Sequence, residues 1–285
     1  MSAASSSSSV ILVTGANKGI GFALVSALLE RDDRAKVVMA CRSAARGKQA
    51  LEELPEAYQA RIFMLEMDVA SPSSVSQAHK VLAESSDYTP LTGIINNAGV
   101  GFGKSVEETC ATNFWGTKRV CETFMPLLVD GGRVVNIASA SGPNYLSRCG
   151  DETRIQQLTD KNVTLDTIEQ VYAEGLPSDQ LGDAYGFSKS LVNAYTRYLS
   201  NKTKTKPENN IIVNSCTPGY ILTDMTRGMG ATNDPEKGVK APMHLLFTDQ
   251  DSIGRGWYYG SDCARSPLSE YREPGSKPYE DEEGC

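Results

Sequence analysis

From Val10 onward the chain alternates short β-branched runs with amphipathic stretches of helical period, and this alternation constrains the fold more than any other feature. Strands joined by helices long enough to cross over and return pair in parallel, with helices covering both faces of the sheet. Strand candidates are 10–14, 36–41, 61–66, 92–96, 132–138 and 210–216, with a seventh at 256–259. Helical periodicity falls near 19–31, 43–53, 72–85, 105–128, 184–203 and 236–247. Right-handed crossovers then give an α/β fold with a single doubly wound parallel sheet, Rossmann-type, in the order 3-2-1-4-5-6-7. Ligands of such sheets gather at the strand C-termini.

No Pro/Gly/Ser-rich linker divides the 285 residues, so 10–260 reads as one dinucleotide-binding catalytic domain. The opening MSAASSSSS (1–9) reads as a disordered tail, without the charged and apolar regions of a secretory signal. Residues 261–285, rich in Pro, Ser and Glu, read as a poorly ordered tail. Two segments break the rhythm. Residues 142–182 form a helical insertion with weakly helical stretches at about 151–160 and 164–174. Residues 217–235 form a long substrate loop in which Tyr220, Met225 and Met229, together with 141–147, are expected to wall the pocket.

A net charge of −7 with scattered lysines and arginines offers no basic stripe, so nucleic acid is not an expected partner. The seven cysteines are an odd number without CxxC or zinc spacing, which points to free thiols in a reducing, cytoplasmic compartment. Two histidines are too few for a Ser/His/Asp triad or a histidine metal site, so no metal is expected. No apolar run approaches the roughly 20 residues of a membrane span, so no membrane partner is expected either.

The first strand candidate runs into Gly15-Ala16-Asn17-Lys18-Gly19-Ile20-Gly21, at the mouth of a helix. Glycines there permit a tight turn and let a pyrophosphate approach N–H groups at a helix N-terminus. The G-xxx-G-x-G spacing departs from G-x-G-x-x-G, and a plain tight connection shares the pattern. An NAD site places an acid about 20 residues past the glycines, on the ribose 2′-hydroxyl. Here the second strand ends in Cys41-Arg42 with no acid between Asp33 and Glu52. Arg42, with Lys18 and more weakly Arg46, suits a 2′-phosphate and hence NADPH, unless Arg42 only caps a strand on a solvated rim. Tyr185 and Lys189 stand at i and i+4, on one face of a helix candidate. Ser139 at the end of the fifth strand and Asn113 in the preceding helix are expected at the same sheet edge.

These residues together resemble the short-chain dehydrogenase/reductase family. TGANKGIG (14–21), Asp68-Val69, NNAG (96–99), Asn113 in ATNFWGT, Ser139 in NIASAS, YGFSK (185–189) and Pro218-Gly219 in TPGYILTDM carry the resemblance over roughly residues 10–250. The enlarged segment before Tyr185, the NKGIG wording and Arg42 look most like the monomeric NADPH-dependent carbonyl reductase branch. The resemblance implies that Tyr185 is the general acid, that Lys189 lowers its pKa and binds the nicotinamide ribose, that Ser139 orients the substrate oxygen and that Asn113 holds a relay water. It further implies that Gly15, Asn17, Lys18, Gly19, Ile20, Gly21, Arg42, Asp68, Val69, Asn97, Pro218, Ile221 and Thr223 border the cofactor. The expected activity is NADPH-dependent reduction of a ketone, aldehyde or quinone, a small-molecule carbonyl. The alternatives are an NADP-dependent alcohol dehydrogenase working oxidatively and a non-catalytic NADP(H)-binding sensor or scaffold. In the insertion, Ile155, Leu158, Leu165, Ile168, Val171 and Tyr172 recur at helical spacing and can seal the surface through which relatives pair, so a monomer is expected.

Overall fold

The computed structural model describes residues 8–176, 183–204 and 210–280. Most of the expected 1–9 tail and the end of the insertion therefore lie outside the described residues. In chain order the elements begin β1 (Val10–Thr14), α1 (Gly19–Arg31), β2 (Lys36–Cys41), α2 (Ala44–Glu52), α3 (Glu56–Gln59), β3 (Ile62–Glu66), α4 (Pro72–Ala83) and β4 (Leu91–Asn96). They continue with α5 (Val106–Asn113), α6 (Trp115–Phe124), β5 (Leu128–Ile137), α7 (Ser141–Arg148), α8 (Glu152–Thr159), α9 (Leu165–Glu174) and α10 (Ala184–Lys204). The last are β6 (Ile212–Cys216), α11 (Lys240–Phe247), β7 (Tyr258–Tyr259) and β8 (Arg265–Ser266).

Among the described residues the sheet has eight strands, not seven, in the order β3-β2-β1-β4-β5-β6-β7-β8, parallel except for the final β7–β8 pair. Alternation along each strand feeds two cores: Val10, Leu12, Ile94 and Val134 face α4, α5, α6 and α10, while Ile11, Val13, Ile95 and Val135 face α1 and α11. Burial on both faces explains why these strands read as continuous apolar runs. A polar seam crosses the first core: Asn96 Nδ2 donates to Asn136 Oδ1 at 2.8 Å, and Asn136 Nδ2 to Thr196 Oγ1 at 2.8 Å.

The helix expected over 105–128 is two helices. It breaks at Phe114, where the Thr117 hydroxyl donates to the Asn113 carbonyl, a back-bond of the kind that bends helices. Pro126, in a short 3-10 turn, then ends it, and β5 begins at Leu128. The segment 261–280 is not a loose tail, for it contains β8 and a set of ties described below. The insertion holds a third helix, α7, besides the two expected stretches. Leu158, Ile168 and Val171 are almost fully buried and Ile155, Leu165 and Tyr172 pack beside them. Three such side chains contribute about 2 kcal/mol each, enough to fasten the segment. It lies over α6 and α10: Trp115 and Tyr172 meet edge to face at 5.3 Å, Lys118 pairs with Glu169 at 3.7 Å, and Asn201 Nδ2 donates to the Lys161 carbonyl at 2.7 Å.

Candidate active site

The glycine turn is shaped by contact with the loop after β4. The Thr14 hydroxyl accepts from the N–H groups of Asn97 and Ala98, both at 3.0 Å, and Asn97 Nδ2 donates to the Thr14 and Gly15 carbonyls at 2.9 and 3.2 Å. A Cβ at Gly21 would stand 2.3 Å from the Gly15 oxygen and 2.5 Å from Asn97 Nδ2, so the position admits only glycine. Gly15 and Gly19 have φ of +64° and +54°, the left-handed region that glycine adopts without strain. Ser43, Ser71, Ser105, Asp151 and Thr164 cap α2, α4, α5, α8 and α9 with their side chains, whereas α1 has no side-chain cap. Its first-turn N–H groups, Gly19 to Gly21, therefore receive no acceptor from the N-cap side chain.

Arg42 is exposed at the end of β2 and has no hydrogen bond or ion pair among the described residues. Lys18 does: its Nζ lies 2.8 Å from Asp224 Oδ2, tying the glycine turn to the 217–235 loop. Asp68 Oδ1 accepts from Ala70 N at 3.0 Å, and Val69 is buried against Gly116. Thr223 packs against Gly19, Ile221 is buried, and Pro218 lines the neighbouring cleft.

Two more glycines set the catalytic geometry. Cβ atoms at Gly142 and Gly186 would stand 3.0 Å from the Lys189 carbonyl carbon and 2.7 Å from the Ser141 oxygen, so α7 and α10 approach to backbone contact. Ser139, just past the end of β5, is close enough to the Tyr185 phenol to oppose the rise in its pKa. Ser139 Oγ also lies 3.2 Å from Ser141 Oγ and accepts from Ser141 N at 3.1 Å. One turn along α10, Lys189 Nζ is 5.7 Å from the Tyr185 ring centroid and donates to the Ile137 carbonyl at 2.8 Å. Asn113 is buried where α5 breaks; its Oδ1 accepts from Val100 N at 2.9 Å and its Nδ2 donates to Ser188 Oγ at 2.9 Å. The backbone at Gly99 is common ground, its Cβ position 3.3 Å from Asn113 Oδ1 and 3.7 Å from Lys189 Nζ. The four polar groups thus meet at one sheet edge.

A cleft of about 780 Å³ opens beside Ser139. Ser141, Pro143, Asn144 and Tyr220 line it as expected, but Met225 and Met229 do not. Met225 instead packs on Gly101, carrying the substrate loop across to the 99–103 segment, and Met229 stays exposed. Sequence reasoning missed Phe102, whose ring lies tilted against that of Tyr185 with centroids 4.9 Å apart, and Tyr258 and Tyr271, which line the cleft. Nothing in the sequence marks Phe102. The paired tyrosines at 258–259 were visible only as a short strand.

The sequence profile described as short chain dehydrogenase matches residues 9–149. Carbonyl reductase [NADPH] 3 of Rattus norvegicus is 34% identical over 270 residues, covering 87% of this chain and 94% of the relative. Carbonyl reductase [NADPH] 1 of Mus musculus is 35% identical over 272 residues, covering 88% and 95%. The chain belongs to the short-chain dehydrogenase/reductase family. Among solved members of like fold, salutaridine reductase from Papaver somniferum superposes with a TM-score of 0.76 at 25% identity, covering 88% of this chain and 99% of that one. Burial pushes the Tyr185 phenol up, against the opposing effect of Ser139, so without a cofactor it is a protonated acid. Burial also lowers Lys189 to about 8, which keeps it mostly an ammonium at neutral pH.

Proposed function

We infer that the protein is an NADPH-dependent carbonyl reductase, converting a ketone, aldehyde or quinone to the alcohol or hydroquinone. The observation that carries this reading is the meeting of Ser139, Tyr185, Lys189 and Asn113 beside an open cleft, next to a glycine turn with an uncapped helix N-terminus. A sensor or scaffold has no need to retain all four groups. The donor set fits a phosphorylated dinucleotide: Gly15, Asn17, Gly19, Ile20 and Gly21 present the turn for the pyrophosphate, and the unpartnered Arg42 guanidinium suits a 2′-phosphate. Asp68, Val69 and Asn97 flank the groove, while Pro218, Ile221 and Thr223 close it from the loop side. NADPH, when bound, supplies the hydride.

The chain's own groups position and protonate the substrate. Ser139 donates to the carbonyl oxygen, Tyr185 passes its phenolic proton to that oxygen, and the Lys189 ammonium stabilises the tyrosinate left behind. Asn113, fixed to Val100 and Ser188, holds the backbone at which a relay water reaches Lys189. The cleft lining is mixed: Tyr220 and Tyr271 stay exposed on it, with Pro143, Ile221 and Tyr258 beside Glu236, Lys237 and Lys240. The exposed tyrosine rings suit a bulky aromatic carbonyl compound. The test is a panel of ketones, aldehydes and quinones followed by NADPH consumption at about 340 nm. We expect turnover with aromatic members of the panel; no turnover with any member refutes the reading.

We also propose that the enzyme is a cytoplasmic monomer. Free cysteines support the compartment, and no described helix is long and apolar enough to cross a membrane. The insertion supports the monomer, because α8 and α9 occupy the outer sides of α6 and α10 that a four-helix dimer contact needs. Light scattering after size-exclusion chromatography should give 30.8 kDa. A stable dimer or tetramer through α5, α6 and α10 would overturn it.

A further inference from the structure

We propose that residues 261–280 form a clasped wall of the substrate cleft and that Tyr271 on this wall selects which carbonyl compounds fit; the second half rests on the carbonyl reductase reading above. A segment beyond the last parallel strand frays unless something ties it down. Here the ties are many. β8 pairs antiparallel with β7, and Tyr279 N donates to the Arg265 carbonyl at 2.9 Å. The Arg265 guanidinium lies 3.9 Å from the Trp257 ring centroid and 5.3 Å from that of Tyr279. The centre of the clasp is Asp262 with Arg272. The Asp262 carboxylate pairs with the Arg272 guanidinium and accepts from Gly275 N at 2.7 Å and Ala264 N at 3.2 Å. Arg272 also donates from Nε to Ser266 Oγ at 2.9 Å and from Nη1 to the Ser276 and Glu273 carbonyls at 2.8 and 3.2 Å. Burial alone would raise the Asp262 carboxyl, but these hydrogen bonds and the guanidinium charge outweigh it and hold it at about 2.

The satisfied guanidinium settles what Arg272 does. Although it lines the cleft, its fork is spent on its own segment, so it holds the wall instead of anchoring a substrate carboxylate. The residue before it, Tyr271, lines the same cleft yet stays 49% exposed. A ring that is half in solvent on a firmly tied backbone adds little to the core; its surface is offered to the cleft. Tyr258, buried at the end of β7, lines the same cleft as Tyr271 and Ser139. Tyr271, Tyr258 and Ser139 therefore border one cleft, which adjoins the proposed reaction centre at Ser139.

The experiment uses the full chain with Tyr271→Ala, Tyr271→Phe and Arg272→Ala. Three readouts are taken: kcat/KM for a small aliphatic and a bulky aromatic carbonyl, NADPH affinity, and amide hydrogen exchange over 268–280. Tyr271→Ala should shift the bulky-to-small ratio of kcat/KM by about tenfold, Tyr271→Phe should restore it, and NADPH affinity should hold in both. Arg272→Ala should shift the ratio likewise and speed exchange over 268–280, leaving β4 to β6 protected. An unchanged ratio in Tyr271→Ala overturns the selecting role, and unprotected 268–280 amides in the wild type overturn the clasp. If the wild type reduces no member of the panel, the reductase reading fails. The clasped wall is then decided by the exchange data alone, where protection lost in Arg272→Ala supports it.

Discussion

Tyr185→Phe should lower kcat for carbonyl reduction by about a thousandfold while NADPH binds nearly as before. The substitution removes one oxygen and keeps the ring, so packing against Phe102 at 4.9 Å is preserved and the lost rate belongs to the proton. The phenol is a poor acid on its own, since burial raises it; the ammonium of Lys189, 5.7 Å from the ring centroid, is the stabilising charge that the chain supplies. Turnover should therefore also fall as pH rises past about 8, where Lys189 gives up its proton. Stability moves the other way. The folded pKa lies below the unfolded 10.5, so the unfolded chain binds more protons between about 8 and 10.5 and Lys189 favours the fold increasingly across that window. Single-turnover NADPH oxidation and fluorescence titration of NADPH check the mutant; activity within tenfold of wild type would remove Tyr185 from the mechanism.

Arg42→Asp should reduce the preference for NADPH over NADH by about a hundredfold, the effect shrinking in high salt. Arg42 is exposed and has no partner among the described residues, so its charge is free for a 2′-phosphate, and aspartate replaces attraction with repulsion. The carboxylate would also suit a ribose 2′-hydroxyl, which should improve NADH use. Lys18→Ala should act in the same direction but less, because Lys18 already shares its charge with Asp224. Ratios of kcat/KM for the two cofactors measure both. A wild-type enzyme that uses NADH as readily as NADPH contradicts the phosphate assignment.

The fold was legible where one physical signal dominates a whole element. β1 and β2 span the runs 10–14 and 36–41 read from the sequence, because both faces of these strands are buried. The glycine turn and the YGFSK helix were legible because a missing side chain or an i, i+4 pair survives without tertiary context. The break at Phe114 was not, since apolar periodicity runs on through it and only the Thr117 back-bond betrays it. β8 has two residues, too few to show any period, and its support comes from Arg272 and Tyr279 beyond it. α7 opens with Ser-Gly-Pro-Asn, a turn-like composition whose glycine is needed for contact with α10. The Lys18–Asp224 pair joins residues 206 positions apart, and charge complementarity at that distance leaves no mark on either local sequence.

The amide seam between β4 and β5 bears on how the chain reaches this sheet at all. Asn96 and Asn136 are register partners, and their side chains meet in an otherwise apolar layer. Sliding β5 by one residue would turn Asn136 to the opposite face, set Val135 or Ile137 beside Asn96 and strip buried polar groups of their partners, at about 1–3 kcal/mol each. Parallel strands drawn together from distant parts of a chain are prone to such slips, and a purely aliphatic pair tolerates them. The seam acts as a register mark: it favours the observed pairing of β4 with β5 over a slipped one.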